Sequence, residues 1–328
     1  MCHSVQYKYA RIKKDSFDFR PVYKYIKPYL DSSDIIMANL ETVVAGKRFK
    51  LSGYPLFNSP PEFIAALKYA GFNLIFTANN HALDKGAAGL VSTIEQLKKN
   101  KINYEGTFLS ERDRDSIRIF DLKGIKLAIL AYTYDVNNNV LKKGNGYLIN
   151  KIDTILIRKD IDSARVKGAD LVLVYFHFGD QYKRKPTAFQ KEIVARAISY
   201  GADIILGSHP HVIEPAEFYK THNANLDTGF VIFSLGNFLS NQKWRYADAG
   251  VILTIKITKD INKDSLYISS VKYTPTWVFR GMTDVGKQYY ILPDDSVKID
   301  TLYKFLTERD KIEMKRAFED TRKILINK

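Results

Sequence analysis

The sequence predicts a layered α/β fold, and two observations support that prediction. Between residues 18 and 240, short continuous apolar runs alternate with segments of helical period. Apolar runs of this kind are typical of strands that are covered on both faces, and their alternation with helices indicates a layered domain. From Gly250 onward the pattern changes to alternating segments without helices between them, which indicates antiparallel strands.

The individual elements follow from local signals in chain order. The predicted strands are the apolar runs at 34–40, 73–77, 124–132, 170–176, 204–206 and 230–233, and the alternating segments at 251–258, 265–273 and 289–292. The predicted helices are 18–30, 61–69, 87–99, 152–167, 187–200 and 297–328. Pro21 stands at a helix start and Gly71 at a helix end. We divide the chain into one domain, residues 1–292, and a C-terminal helical tail, residues 293–328.

Composition bounds the class of protein. The chain has 328 residues, 45% of them hydrophobic and 26% charged, as in a globular protein with a sizeable core. Fifty Lys and Arg against 36 Asp and Glu give a net charge of +14, which suits a polyanionic partner and equally suits a solvated basic surface. The sequence has neither a nucleic-acid recognition module nor a basic stripe with aromatics, so we expect no nucleic-acid partner. The single cysteine, Cys2, excludes an intrachain disulfide and a cysteine-based zinc site.

Polar side chains follow several of the predicted strands directly. Four of the six histidines do so: His81, His177, His209 and His211. The carboxylates and amides in equivalent positions are Glu41, Asn79, Asn80 and Asp84. Because the carboxyl ends of strands form the ligand crevice of open α/β sheets, we expect these side chains to converge. Imidazole, carboxylate and amide donors without a thiolate favour Mn, Zn or Fe. In particular, this donor set suits a hydrolytic site that holds two metal ions. The alternative is a hydrogen-bonded polar rim without metal.

Five motifs, in this order, resemble the CapA family of capsule (poly-γ-glutamate) synthesis proteins. They are Asn39-Leu-Glu41, Ala78-Asn-Asn-His-Ala-Leu-Asp-Lys-Gly86, His177-Phe-Gly179, Gly207-Ser-His-Pro-His211 and Ser234-Leu-Gly-Asn-Phe238. The resemblance covers roughly residues 15–240. It implies the calcineurin-like metallophosphoesterase fold, an α/β/β/α sandwich, here with a C-terminal helical extension.

The resemblance also implies a role for each matched residue. It makes Glu41 the carboxylate that bridges two divalent ions, and the implied metal ligands are Glu41, Asn80, His177, His209 and His211. His81 would be the general acid or a hydrogen-bond donor to the transition state. Asp84 would orient the His81 imidazole, and the alternative for Asp84 is an N-cap of the following helix.

Two departures from the family pattern affect the expected metal content. The family's first motif, a Gly-Asp at the end of its first strand, would lie before Met1, so we expect upstream sequence that carries this strand. Without that aspartate, one ion or weak binding is expected. Gln181 and Phe178 replace the family's usual glutamate and tryptophan after His177.

The resemblance implies a function in capsule or poly-γ-glutamate synthesis, as a metal-dependent hydrolase or transferase that is extracytoplasmic or membrane-anchored. Its expected partners are an anionic polymer such as poly-γ-glutamate and membrane synthase subunits. Two other interpretations stay open: a non-catalytic accessory subunit for polymer export, and a general metallophosphatase. Lys243, Trp244 and Arg245 either line a substrate cleft or belong to a solvated loop, and we assign His3 and His222 no role.

Overall fold

A mixed β-sheet of nine strands forms the centre of the protein in the computed structural model, which describes residues 1–46, 48–223, 226–263, 265–295 and 299–326. The strands are β1 (Arg11–Lys13), β2 (Ser16–Phe17), β3 (Met37–Asn39), β4 (Leu74–Phe76), β5 (Asn103–Glu105), β6 (Ile119–Leu122), β7 (Ile125–Thr133), β8 (Leu171–His177), β9 (Ile204–Ser208), β10 (Ala216–Asn223), β11 (Leu226–Ile232), β12 (Ala249–Asp260), β13 (Ser265–Thr283) and β14 (Gly286–Pro293).

The α-helices are α1 (Ser4–Tyr9), α2 (Lys27–Leu30), α3 (Glu62–Ala70), α4 (Gly86–Lys99), α5 (Glu111–Asp115), α6 (Thr154–Val166), α7 (Ala188–Tyr200), α8 (Ile299–Leu302) and α9 (Glu308–Leu325). Short 3-10 helices lie at Arg20–Tyr23 and Gly146–Leu148. Among the described residues, no helix combines the length and the apolar character that a bilayer crossing requires.

The large sheet has the strand order β12-β13-β11-β9-β8-β7-β6, with β10 paired to β11 and β14 paired to β13. Strands β7, β8, β9, β11 and β13 are parallel to one another. Strands β6, β10, β12 and β14 each pair antiparallel with one of them. A second, parallel sheet has the order β3-β4-β5. The two sheets face each other through one core, in which Phe76 of β4 stacks on Tyr175 of β8 at 4.2 Å between ring centroids.

Strand β8 shows why the sequence forms this arrangement. All seven of its residues are buried. Leu171, Leu173 and Tyr175 belong to the core between the sheets, whereas the alternate residues 172, 174 and 176 pack with α6 and α7 on the opposite face. Because successive side chains of a strand point to opposite faces, a strand that is covered on both sides has to be apolar throughout. The helices α3 and α4 cover the small sheet, so the layers are α/β/β/α, as predicted.

The prediction of one helix at 18–30 was wrong. The segment instead forms a 3-10 helix, Arg20–Tyr23, and a separate short helix, α2. Each begins with a proline at its first or second position, and a proline deeper in one continuous helix would remove a backbone hydrogen bond and clash with the preceding turn. Strand β10 was not predicted, because this largely exposed strand pairs only with β11 and lacks an apolar run. The predicted tail helix is α8 and α9, and its residues 297, 298, 327 and 328 lie outside the described residues.

Replacing Gly207 with alanine is expected to lower the free energy of unfolding by at least about 3 kcal/mol. A Cβ atom at this position of β9 would lie 1.9 Å from the backbone oxygen of Phe233. That oxygen belongs to the adjoining backbone and cannot move aside as the end of a flexible side chain would. Urea denaturation measures the loss, and Gly146→Ala is the matched control because nothing lies within 4 Å of its added Cβ. A Gly207→Ala variant as stable as Gly146→Ala would contradict this packing.

Candidate metal centre

The polar residues predicted from the sequence lie together at the carboxyl edges of the two facing sheets. Glu41 follows β3, the pair Asn80 and His81 follows β4, His177 ends β8, and His209 follows β9. His211 and Asp84 are close to them in sequence, and the side chains of all seven residues are buried. Parallel strands place their carboxyl ends at one edge, so the chain brings these groups together through its topology.

Four potential metal donors meet at the centre of this cluster. The Nε2 atom of His177 lies 2.9 Å from Asn80 Oδ1, 3.2 Å from His209 Nδ1 and 3.5 Å from Glu41 Oε1. The donor atoms of Glu41, His177 and His209 all lie within 4.8 Å of one another. Convergent imidazole nitrogens and a carboxylate oxygen form a donor set of the kind that binds a divalent transition ion.

Glu41 provides a specific test of whether the cluster fits a metal. Its Oε1 atom is buried and accepts no hydrogen bond from the residues that the structure describes. Its other oxygen is 3.4 Å from Asn39 Nδ2. A buried carboxylate oxygen without a donor is costly, and a cation between Oε1 and the facing imidazole nitrogens would remove that cost. The residues therefore fit a metal better than they fit a hydrogen-bonded rim without one.

The electrostatics of the cluster favour the protonation states that metal ligands need. Burial alone would raise the pKa of Glu41, but His211 and His177 outweigh burial and hold the pKa well below its usual value. Burial, together with His177, lowers the pKa of His209. The carboxylate is therefore charged and the His209 imidazole neutral near pH 7. Ligands in these states do not have to release a proton when an ion binds.

The orientation of His211 is fixed by Asn237. The Nδ2 group of Asn237 donates to Gln242 Oε1 and to the Ala247 carbonyl, both at 2.8 Å, so its Oδ1 atom faces His211. His211 Nδ1 lies 3.2 Å from that oxygen and therefore carries the proton. Its Nε2 atom is left with a free lone pair, 3.9 Å from Glu41 Oε1. An outer hydrogen bond that fixes the tautomer in this way is typical of histidine metal ligands.

Asn80 is held in a similar way by Asn137, which lies in an asparagine-rich loop that no sequence motif connects to the site. The Nδ2 group of Asn80 donates to Asn137 Oδ1 at 3.1 Å, and Asn137 Nδ2 donates back to the Asn80 carbonyl at 2.9 Å. The amide oxygen of Asn80 is thereby directed at His177. Asn79, one position earlier, makes a different contact: its Nδ2 donates to the Leu40 carbonyl at 2.9 Å. Asn79 connects the ends of β3 and β4.

His81 and Asp84 form a hydrogen-bonded pair beside the cluster. His81 Nδ1 lies 2.8 Å from Asp84 Oδ2, which also accepts the backbone N–H of Phe57 at 2.7 Å. The alternative role of Asp84 as a helix N-cap was wrong, because α4 has Lys85 at its N-cap position and no side chain caps that end. Phe57 packs edge-on against His81 at 4.7 Å between centroids. These contacts fix the plane of the His81 ring.

The turn that carries His209 and His211 is strained. Their φ angles are +105° and +60°, in the left-handed region that side chains other than glycine rarely adopt. The turn is held by backbone hydrogen bonds, including Tyr182 N–H to the Pro210 carbonyl at 2.7 Å. Strained backbone of this kind persists only where the surrounding structure stabilises it, and it is found most often at functional sites.

Three aromatic residues near the cluster had no clear signal in the sequence. His3 was assigned no role, yet it packs 5.2 Å from Phe57, and its pKa is lowered to about 4 by burial and then by neighbouring charges that include His211. Tyr134 packs 4.6 Å from His209, and Tyr182 packs 5.8 Å from His211. Tyr134 follows the predicted strand at 124–132, but it is not a histidine, a carboxylate or an amide. His3 and Tyr182 do not directly follow a predicted strand, so the search at strand ends selected none of the three.

The weaker candidates have separate environments. Arg245 pairs with Asp320 of α9 through two hydrogen bonds of 2.9 Å, and Trp244 packs 5.4 Å from Tyr182. His222 is exposed on β10. Of the two residues that depart from the family pattern, Phe178 is buried and Gln181 is exposed.

Glu214 gives a pH-dependent prediction for this region. Burial raises its pKa from 4.5 to about 7, although Gln190 Nε2 donates to its Oε2 atom at 2.6 Å. The folded chain therefore holds a proton that the unfolded chain releases, and the stabilisation that this proton gives is present below pH 4.5 and is lost as the pH rises through about 7. We expect Glu214→Gln to become more stable relative to the wild type between about pH 5 and about pH 8.

Urea denaturation at the two pH values measures this difference. Glu217→Gln, an exposed carboxylate on the neighbouring strand, is the matched control and should show no such trend. An equal stability difference for Glu214→Gln at both pH values would be inconsistent with a protonated Glu214 in the folded state.

Comparison with known proteins identifies the family and the fold of the chain. The sequence model of the family described as bacterial capsule synthesis protein PGA_cap matches residues 1–242. The chain is 33% identical over 247 residues to the capsule biosynthesis protein CapA of Bacillus anthracis, a match that covers 70% of this chain and 56% of that protein. It is 31% identical over 236 residues to the PGA biosynthesis protein CapA of Bacillus subtilis (strain 168), and this match covers 70% of this chain and 60% of that protein. The chain thus spans little more than half the length of these curated relatives.

A solved structure shows the same fold at low sequence identity. It is a candidate 5′-nucleotidase from Staphylococcus aureus in complex with α-ketoglutarate, with a TM-score of 0.51 and 13% identity over 97% of this chain and 56% of that chain. This likeness confirms the predicted metallophosphoesterase-like fold. The family model matches residues 1–242, and a relative is 33% identical over 70% of this chain; the chain therefore belongs to the PGA_cap family of bacterial capsule synthesis proteins.

Proposed function

We propose that the protein is a divalent-metal-dependent hydrolase or transferase that acts on a capsular polymer. One observation carries the proposal: the buried Oε1 atom of Glu41, which has no hydrogen-bond donor in the described part of the chain, faces His177 Nε2 and His211 Nε2. A buried site for a cation next to an oriented histidine, His81, supports a hydrolytic function for this cluster.

The residues present divide into two groups of ligands. Glu41, Asn80, His177 and His209 would hold one divalent ion, and Glu41 and His211 would hold a second. Glu41 Oε1 faces both groups, at 3.5 Å from His177 Nε2 and 3.9 Å from His211 Nε2, so this carboxylate would bridge. Mn, Zn or Fe suits these donors. When bound, such ions lower the pKa of water and polarise the oxygen of a phosphate, ester or amide.

His81 would deliver the proton. Asp84 accepts a hydrogen bond from Nδ1, so Nε2 is the atom that gives a proton to the leaving group. Phe57 packs edge-on against the imidazole and shields this face of the ring from water.

The proposed substrate is an anionic capsular polymer such as poly-γ-glutamate. The relatives at 33% and 31% identity are named for capsule and PGA biosynthesis. A net charge of +14 would attract a polyanion and raise its local concentration. Because capsular polymer accumulates outside the cell, we place the protein at the cell surface, where membrane synthase subunits would be its partners.

Incubation of the Mn- or Zn-loaded protein with poly-γ-glutamate tests the proposal. Gel filtration is expected to show a metal-dependent change in polymer length, and EDTA should abolish it. p-Nitrophenyl phosphate, offered in parallel, identifies a general metallophosphatase if it is the better substrate. Binding of the polymer without turnover of either compound would contradict the proposal and favour a non-catalytic accessory subunit.

A further inference from the structure

Two loops lie next to His211. The first is the β8–α7 loop, residues 178–187, which carries Tyr182. The second is the β11–β12 loop, residues 233–248, which carries Trp244. The Tyr182 ring lies 5.8 Å from His211, and Trp244 lies 5.4 Å from Tyr182. About half of Trp244 is exposed, at 51%, and Tyr182 is 43% exposed, so the two rings form an aromatic wall that a substrate can contact beside the metal centre.

Hydrogen bonds connect this aromatic wall to the metal centre. Gln242 Nε2 donates to the Tyr182 hydroxyl at 3.0 Å, and Gln242 Oε1 accepts from Asn237 Nδ2 at 2.8 Å. Asn237 Oδ1 in turn accepts from His211 Nδ1. The chain of contacts therefore runs from the aromatic wall through both loops to a proposed metal ligand. A shift of either loop would disturb the orientation of His211.

Asp320 of helix α9 contacts both loops. The Asp320 carboxylate accepts two hydrogen bonds from Arg245 of the β11–β12 loop, each 2.9 Å long. The Asp320 backbone carbonyl accepts from Arg184 of the β8–α7 loop, also at 2.9 Å. Both guanidinium groups contact the ring of Tyr246, at 4.0 Å for Arg184 and 4.9 Å for Arg245. Bidentate pairs of this type fix geometry more firmly than an ordinary surface ion pair does.

Helix α9 is fixed in place by packing against the sheet. Its residues Met314 and Phe318 are buried in a cluster with Trp277 of β13. The Asp320 side chain is only 8% exposed. Helix α9 lies beyond residues 1–242, the part that the family model matches, so this support is separate from the family's shared motifs.

We propose that Asp320 is a positioning residue, which holds Tyr182 and Trp244 beside His211 and so determines how a substrate is seated there. The position of the aromatic wall stands on the contacts above, whereas the effect on substrate rests on the proposed function. Asp320 itself does not touch the metal centre.

Tryptophan fluorescence tests the positioning without metal or substrate. The chain has two tryptophans, and Trp277 is buried at 4% exposure, so acrylamide quenching reports on Trp244. In the full chain, Asp320→Asn keeps the side-chain shape but removes the charge, and we expect quenching of Trp244 to rise by up to about twofold as the loop loosens. Asp320→Glu should restore most of the wild-type value. Glu319→Gln, an exposed carboxylate on the same helix, is the control.

The same substitution in a Trp244→Phe protein distinguishes a loosened loop from a displaced helix α9. In Trp244→Phe, the remaining emission comes from Trp277, which packs in the α9 cluster. Unchanged Trp277 emission when Asp320→Asn is added, together with raised Trp244 quenching in the single variant, supports the proposal. A change in Trp277 emission would show that α9 itself had moved and would overturn it. Quenching of Asp320→Asn equal to that of Glu319→Gln would also overturn it.

Metal and substrate readouts complete the test. A Mn²⁺ titration is expected to show affinity lowered by up to about 10-fold in Asp320→Asn, because the contacts that orient His211 are weakened. With p-nitrophenyl phosphate as substrate, KM of Asp320→Asn should rise by a larger factor than kcat falls, since Asp320 positions residues that bind the substrate and takes no part in proton transfer. If the wild type turns over no substrate, the proposed function fails, and the quenching result still decides the role of Asp320.

Discussion

Replacing His81 with alanine is expected to lower turnover by about 10²- to 10⁴-fold while the metal content stays at the wild-type level. The imidazole Nδ1 atom is bonded to Asp84, and His81 is not among the residues whose donor atoms converge with Glu41. Its loss should therefore remove the proton donor and leave the ligands in place. Turnover of poly-γ-glutamate or p-nitrophenyl phosphate, with metal content measured on the same samples, checks the two halves of this expectation.

The controls for His81 come from the same chain. His222→Ala also removes an imidazole, but from the exposed face of β10, and should leave turnover unchanged. Asp84→Asn retains an oxygen that accepts from His81 and loses only the charge, so we expect a smaller effect of about 10- to 100-fold. Full polymer output with His81→Ala would rule out the catalytic role and favour an accessory subunit.

The second large effect is expected for Glu41→Gln, which should weaken metal binding by more than about 100-fold, because even changes to outer contacts of a metal site cost 10- to 100-fold. The substitution is nearly isosteric but removes the negative charge of Glu41, which faces His177 and His211. Turnover should fall with the metal. Isothermal titration with Mn²⁺ or Zn²⁺ measures the affinity, and Glu217→Gln, with its exposed side chain, is the control.

The lowered pKa of Glu41 also predicts how the free energy of unfolding depends on pH. The pKa of Glu41 in the folded chain lies well below its usual 4.5, so its charge stabilises the fold above that value and the contribution is lost as the pH falls further. The stability of Glu41→Gln should therefore depend less on pH in the acid range than that of the wild type. A stability difference that does not change with acid pH would contradict the lowered pKa.

Much of the central fold could be predicted from sequence because its signals are local. The predicted run at 170–176 is apolar from Leu171 onward, since β8 is covered on both faces, and it ends at His177, where the polar cluster lies. The two-sheet core follows the same logic, as with Phe76 and Tyr175. The break between Arg20–Tyr23 and α2 was missed because apolar residues at helical spacing predicted one continuous helix. The second proline, Pro28, is the local signal that a new helix begins.

The surroundings of the site could not be predicted, because they depend on contacts between distant segments. Asn137 meets Asn80 across 57 positions, and Arg245 meets Asp320 across 75. His3 lies beside the cluster although nothing in its local sequence distinguishes it. Residues that act through such contacts have no periodic pattern and no fixed spacing, so only the folded chain reveals them.

Metal content, measured by plasma mass spectrometry after loading with Mn²⁺ or Zn²⁺ and dialysis, tests the central claim most directly. The wild type is expected to retain at least one ion per chain. Glu41→Gln and His177→Gln, which each alter one of the converging ligands, should retain none, and His222→Gln should behave as the wild type. Wild-type protein that retains no more metal than Glu41→Gln and His177→Gln would contradict the assignment of this cluster as a metal centre.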